Sequence, residues 1–133
     1  VQGNMAQFAY ALQEEPSLHL SGKEVMEGLQ AQHILDQAQF VEHLRQFSIE
    51  DALLAQPMDT WSMGECKKFY LAAALARSCR MLVLDEPTNH LDQEAVAYLQ
   101  SVLAEYPGGL LVCSHEEAWP VKWDRIERMK RHG

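Results

Sequence analysis

Two short apolar runs constrain this chain more than any other feature. Met81-Leu82-Val83-Leu84 is closed by Asp85-Glu86-Pro87, and Leu110-Leu111-Val112-Cys113 is closed by Ser114-His115-Glu116-Glu117. Runs this short, bounded by charge and by proline, read as buried strands of a parallel sheet. Between them lies a helical stretch over residues 93–105, capped by Asp92 and broken by Pro107-Gly108-Gly109. A further helix over residues 66–78 precedes the first run, with Phe69, Leu71, Ala72, Leu75 and Ala76 as its buried face. The order predicts an α/β fold around a parallel sheet.

The first half of the chain has a different character. Residues 5–12 alternate in part and read as a strand, stopped by Gln13-Glu14-Glu15-Pro16. Ser21 followed by Glu24 forms a capping-box pattern at a helix start. Residues 22–55 contain no proline and are rich in Gln, Glu, Leu and Ala, which predicts two or three short helices. Leu29, His33, Leu35, Phe40, Val41, Leu44 and Phe47 make an apolar stripe at helical spacing, and its aromatics read as core. Pro57 ends the block, and residues 60–65 read as a turn-like link to the next helix.

Composition sets outer limits. The 133 residues, 47% of them hydrophobic, suit one globular domain and are too apolar for wholesale disorder. No run of apolar residues is long enough for a transmembrane helix, so direct membrane insertion is not expected. No basic stretch followed by an apolar block opens the sequence, so no secretory signal is expected in it. The net charge of −8 argues against a general nucleic-acid or membrane-surface binder. That charge lies wholly in residues 1–66, with two basic and ten acidic residues, whereas residues 67–133 carry nine of each sign. The locally basic end around Lys122, Arg125, Arg128, Lys130 and Arg131 reads as a solvated tail, with an RNA or partner contact as the alternative. Three cysteines with no CxxC spacing point to reduced thiols and a cytoplasmic location, and Cys113 reads as a small buried hydrophobe. The six histidines show no HxxxH or HExxH spacing, so no metal site made from side chains alone is expected.

The chemistry concentrates in residues 81–92, MLVLDEPTNHLD. A buried strand delivers two adjacent carboxylates at its C-terminal edge, where open α/β sheets bind ligands. Successive side chains at a strand end point in different directions, so one carboxylate can help hold Mg²⁺ while the next faces an attacking water. This string resembles the Walker B segment and D-loop of ABC-type ATPases. Its TNHLD spelling resembles the ABC-F subfamily in particular, whose members carry two ATPase domains on one chain, lack transmembrane domains and in known cases act on the ribosome. Trp61-Ser62-Met63-Gly64-Glu65 resembles the family's signature motif, KKFYLAAALARS the helix that follows it, Leu111-Val112-Cys113-Ser114-His115 the strand and switch histidine, and Phe8-Ala9-Tyr10-Ala11-Leu12-Gln13 the strand and glutamine of the Q-loop.

The resemblance implies a partial P-loop NTPase fold of the ABC ATPase type, a parallel sheet with a helical subdomain. Residues 1–16 would be the strand and Q-loop, 17–60 the helical subdomain, and 61–133 the signature helix, Walker B, D-loop, switch histidine and C-terminal segment. It also implies roles. Ser62, Met63, Gly64 and Glu65 would face the γ-phosphate of ATP held by an opposing domain, at a helix N-terminus whose free N–H groups attract anions. Gly64 would permit close approach, while Met63 stands where the family usually has glycine and Trp61 where it has leucine. Asp85 would help hold Mg²⁺ through water, since Mg²⁺ dehydrates reluctantly. Glu86 would position or deprotonate the attacking water. His115 would sense the γ-phosphate, Gln13 would reach toward Mg²⁺ and the water, and Asn89, His90 and Asp92 would lie against the partner domain, Asp92 doubling as a helix cap.

One part is missing. An ATP site needs a glycine-rich loop, a lysine and a Ser or Thr around the phosphates. The pattern GxxxxGK(S/T) does not occur, and the sole Gly-Lys pair, Gly22-Lys23, is followed by Glu24. The chain therefore reads as the later portion of an ATPase domain, expected to need ATP and Mg²⁺ in the intact protein and to be inactive alone. Its expected partners are a second ABC ATPase domain, and the ribosome or a transporter's membrane subunit. A truncated sheet leaves strand edges open, which predicts self-association. The alternatives are the ATP-binding subunit of an ABC membrane transporter and a non-catalytic assembly module.

Overall fold

The computed structural model describes residues 20–31, 35–77 and 81–114. In chain order these form helices α1 (Gly22–Ala31), α2 (Gln37–Gln46) and α3 (Asp51–Leu54), a 3₁₀ turn (Met58–Thr60), helix α4 (Met63–Leu75), strand β1 (Met81–Asp85), helix α5 (Gln93–Ala104) and strand β2 (Gly109–Cys113). The expected strand over residues 5–12, Gln13, His33, Cys79, His115 and the basic C-terminal stretch lie outside the described residues.

Four of the five helices start where a side chain takes up orphan N–H groups; α3 begins after Glu50 without such a cap. The Ser21 hydroxyl accepts from the Glu24 amide at 3.2 Å, and the Glu24 carboxylate accepts from the Ser21 amide at 3.1 Å, the reciprocal box predicted for α1. Asp36 caps α2 through the Gln39 amide, and Asp92 caps α5 through the Ala95 amide at 2.8 Å. α4 begins at Met63, three residues earlier than the sequence suggested. Its N-cap Ser62 accepts from the Glu65 amide at 3.1 Å, and Glu65 accepts from the Ser62 amide at 2.8 Å. The supposed link over residues 60–65 is thus a 3₁₀ turn followed directly by the first turn of a capped helix.

α4 is the axis of the molecule. Phe69, Leu71, Ala72, Ala73, Ala74 and Leu75 are all buried, because the alanine run lets neighbours approach on every side. Phe69 is the hub of an aromatic cluster. Its ring centroid lies 5.5 Å from Phe40 of α2, 5.6 Å from Trp61 and 5.3 Å from Tyr70, each edge-to-face. Such pairs add about 0.5–1.5 kcal/mol beyond the area they bury. Trp61 in turn lies on Gly22, where a Cβ would come within 2.7 Å of the indole ring. That contact locks the first turn of α1 to the approach of α4. Phe47 packs edge-to-face on Tyr98 of α5 at 5.1 Å, and His43 Nδ1 shares a 2.6 Å hydrogen bond with the Tyr98 hydroxyl. Phe40, Leu44 and Phe47 of the sequence stripe are buried, while Val41 is 48% exposed on the outer side of α2.

β1 and β2 pair in parallel, with Met81 opposite Gly109 and Asp85 opposite Cys113. The parallel sense of the two strands is as the sequence implied. Burial is not. Leu82 and Leu84 are buried, but Met81 and Leu111 are each 50% exposed and Cys113 is exposed. Alternate residues of a strand face opposite sides. The helices cover the side bearing Leu82 and Leu84, and no described element covers the other. Cys113 falls on that open side, so it is not the buried hydrophobe its neighbours suggested.

Candidate functional site

The strand β1 carries its carboxylates to the edge of the sheet, and the backbone turns abruptly there. Glu86 has φ 47°, in the left-handed region that non-glycine residues rarely occupy. Its amide donates to the Cys113 carbonyl at 2.6 Å, which ties it to the end of β2. Its own carbonyl accepts from the Asn89 amide at 3.2 Å, closing a turn over the buried Pro87. A second turn bond runs from the Leu91 amide to the Thr88 carbonyl at 3.2 Å, and His90 is also left-handed, at φ 67°. Asp92 then starts α5. Residues 85–92 therefore form a tightly wound corner, in which Asp85 and Glu86 stand on one arm and Asp92 on the other.

The first turn of α4 lies against that corner. A Cβ on Gly64 would come within 2.5 Å of the His90 carbonyl oxygen, a separation that real side chains do not adopt. Gly64 is expected to let a phosphate approach closely; in the fold its bare Cα also admits the chain's own corner. On the same face, one turn further on, two lysines reach across. Lys67 Nζ donates to the Glu86 carbonyl at 3.0 Å, and Lys68 Nζ meets Asp92 Oδ2 at 3.1 Å. Burial holds the Lys67 ammonium below its usual pKa, and the nearby charges of Asp85 and Glu86 oppose that shift. Asp92 is held below the usual carboxylate range by the Ala95 amide first and by Lys68 second. The signature-like turn and the acidic corner are thus one contiguous surface.

Among the site residues expected from sequence, Ser62, Gly64, Glu65, Asp85, Glu86, Asn89 and Asp92 fall on this surface or its immediate backbone. Met63 is 67% exposed beside it. Glu65 is occupied as a helix cap. Gln13 and His115 lie outside the described residues, so their places in the site are not assigned. The two lysines escaped sequence reasoning. The signal was present: Gly64, Lys67 and Lys68 are spaced i, i+3, i+4, one stripe of a helix whose later turns are buried.

The donor set suits a magnesium–nucleotide group better than a protein-caged metal. Among the described residues no three His, Cys, Asp or Glu side chains come together as a cage. Mg²⁺ typically takes one or two carboxylates and completes its shell with water and phosphate oxygens. Asp85, exposed at the end of β1 beside Glu86, is of that kind.

Comparisons with known proteins identify the family. Residues 4–89 match the family model described as ABC transporter. The chain is 40% identical to the ATP-binding protein Uup of Caulobacter vibrioides over 74 residues, covering 56% of this chain and 12% of Uup. It is 43% identical to the energy-dependent translational throttle protein EttA of Mycobacterium tuberculosis over 61 residues, covering 46% of this chain and 11% of EttA. Both relatives are of the ABC-F group. The fold also matches the solved ATP-binding subunit of an ABC transporter, with a TM-score of 0.65 at 21% identity, over 76% of this chain and 45% of that one. This chain belongs to the ABC transporter family and carries ABC ATPase domain sequence. The matches span 12% of Uup, 11% of EttA and 45% of the solved subunit. No helix among the described residues is long and apolar enough to cross a membrane.

Proposed function

We propose that this chain supplies the hydrolytic and partner-facing portion of an ATP site in an ABC-F-type ATPase. The observation that carries this reading is the single surface joining Ser62 and Gly64 to Asp85, Glu86 and Asp92. Asp85 would hold Mg²⁺ through water. Glu86 would take a proton from the water that attacks the γ-phosphorus as the bond to the β-phosphate oxygen breaks. Ser62 and the free N–H groups of the first turn of α4 would meet the γ-phosphate of a nucleotide held by a second ABC ATPase domain. Asn89 and Asp92 would border that domain. Gln13 and His115 would complete the γ-phosphate surroundings from segments on either side. The phosphate-binding loop must come from residues other than these 133, since their sequence contains none. The name of EttA supports a role at translation for the whole protein, and a cytoplasmic location follows from that role.

The test is MgATP hydrolysis by the full-length product of the gene that encodes these residues. Glu86→Gln is expected to reduce turnover about 100-fold or more, in line with loss of a general base, while nucleotide binding persists. Turnover at the parental rate in that variant would refute the assignment of Glu86. Saturable turnover by the 133-residue chain alone would refute the division of labour.

A further inference from the structure

We infer that Lys67 is a positioning residue: by gripping the Glu86 carbonyl it fixes the left-handed backbone that aims the hydrolytic carboxylate, and so ties that carboxylate to the signature turn. This rests on the reading of Glu86 given above and extends it to a residue with no assigned role. Three observations converge. Glu86 sits at φ 47°, a conformation that costs a non-glycine residue free energy and persists only where surroundings hold it. Named backbone contacts supply part of that hold. The Cys113 carbonyl takes its amide at 2.6 Å, the Asn89 amide and Lys67 Nζ share its carbonyl, and of these only Lys67 brings a full charge. A charged donor makes the stronger hydrogen bond.

The third observation is where Lys67 comes from. It leaves α4 three residues after Gly64, on the face that lies against the His90 carbonyl. A displacement of the first turn of α4, such as a partner domain docking on Ser62 would impose, is therefore transmitted to the backbone of Glu86 by one rigid helical turn and one hydrogen bond. Lys68 makes the parallel contact one residue further on, but to the Asp92 side chain at the start of α5. Lys68 thus holds the far arm of the corner, and Lys67 holds the arm that carries the carboxylates. Methionine at position 67 would keep the length and the apolar stem and lose the grip.

Two measurements test this. In the 133-residue chain, amide hydrogen exchange reports the hold on Glu86 directly. Lys67→Met is expected to cut the protection of the Glu86 amide about tenfold or more, with the amides of Leu84 and Ala73 changed less than about twofold, and Lys67→Arg to restore it. Protection of the Glu86 amide within about twofold of the parent in Lys67→Met overturns the inference. If Lys67→Met unfolds, Lys67→Gln, which keeps a donor but not the charge, takes its place under the same criterion. In the full-length product, Lys67→Met is expected to lower kcat about 10- to 100-fold with KM nearly unchanged, and Lys67→Arg to recover most of it, as for a misplaced catalytic group. Parental kcat in Lys67→Met, with Glu86→Gln inactive, overturns the inference and leaves the reading of Glu86 standing. Full activity in Glu86→Gln overturns both.

Discussion

The two ends of α4 hold the molecule together in opposite ways. Its middle and C-terminal part is dry: Phe69 and the alanines are wholly buried, and the rings of Phe40, Trp61 and Tyr70 close around Phe69. Its first turn is polar and open: Ser62 and Met63 are exposed, Gly64 lies on a backbone carbonyl, and Lys67 and Lys68 reach a carbonyl and a carboxylate. Aromatic packing scales with buried area and tolerates modest changes of shape. Contacts of the other kind contribute little to stability, yet they fix direction. The difference places the stability of the fold at one end of the helix and its chemistry at the other, within four turns.

Substitutions can break that contrast, beginning at the dry end. Phe69→Ala removes the hub of the aromatic cluster and is expected to cost about 3–5 kcal/mol, seen as a large fall in the urea midpoint. A loss below about 1 kcal/mol would mean the cluster is not the stabilising centre. Gly64→Ala places a methyl against the His90 carbonyl and is expected to cost about 1–3 kcal/mol. Hydrogen exchange would localise its damage to residues 63–66 and 88–92, and uniform loosening of the aromatic cluster instead would erase the distinction between the two ends. Ser62→Ala removes one side of the capping box and is expected to cost about 1 kcal/mol, with Ser62→Asp restoring it in the same denaturation curve.

The smallest effect is a pH dependence where α2 meets α5. Burial against Tyr98 lowers the His43 pKa below its usual 6.5, a shift that the nearby Glu42 charge only partly offsets. The unfolded chain then binds a proton that the folded chain does not. Stability is full above pH 6.5 and declines as pH falls from there toward the lowered folded value. The thermal midpoint is expected to fall between pH 7.5 and 5.5, and to fall less in His43→Gln. Equal slopes in the two proteins would remove His43 from the account.

Much of this was legible in the sequence, for reasons that differ from residue to residue. The two described strands and α5 match the sequence reading within a residue or two, because apolar runs and the cap Asp92 are local signals. The start of α4 was missed by three residues because the Ser62–Glu65 capping box was not recognised beneath a glycine-containing stretch. The open side of the sheet was misread because a continuous apolar run does not say whether one face or both are covered, and Leu111 and Cys113 fall on the uncovered one. Val41 belongs to the apolar stripe by spacing, yet α2 presents it outward. The lysine contacts depend on Gly64 meeting His90 across 26 positions of chain, which no local pattern encodes. The candidate site was legible largely through MLVLDEPTNHLD, whose order is strict enough to carry a family.

The central claim is that this chain holds the hydrolytic portion of an ATP site and needs another domain for the phosphate cradle. A calorimetric titration with MgATP tests it most directly, on the 133-residue chain alone and mixed with an ABC ATPase domain that carries a phosphate-binding loop. The account predicts no saturable heat from the chain alone, and nucleotide-dependent association in the mixture that is lost when Ser62 and Gly64 are both replaced. Stoichiometric, saturable binding of MgATP by the chain alone would contradict it.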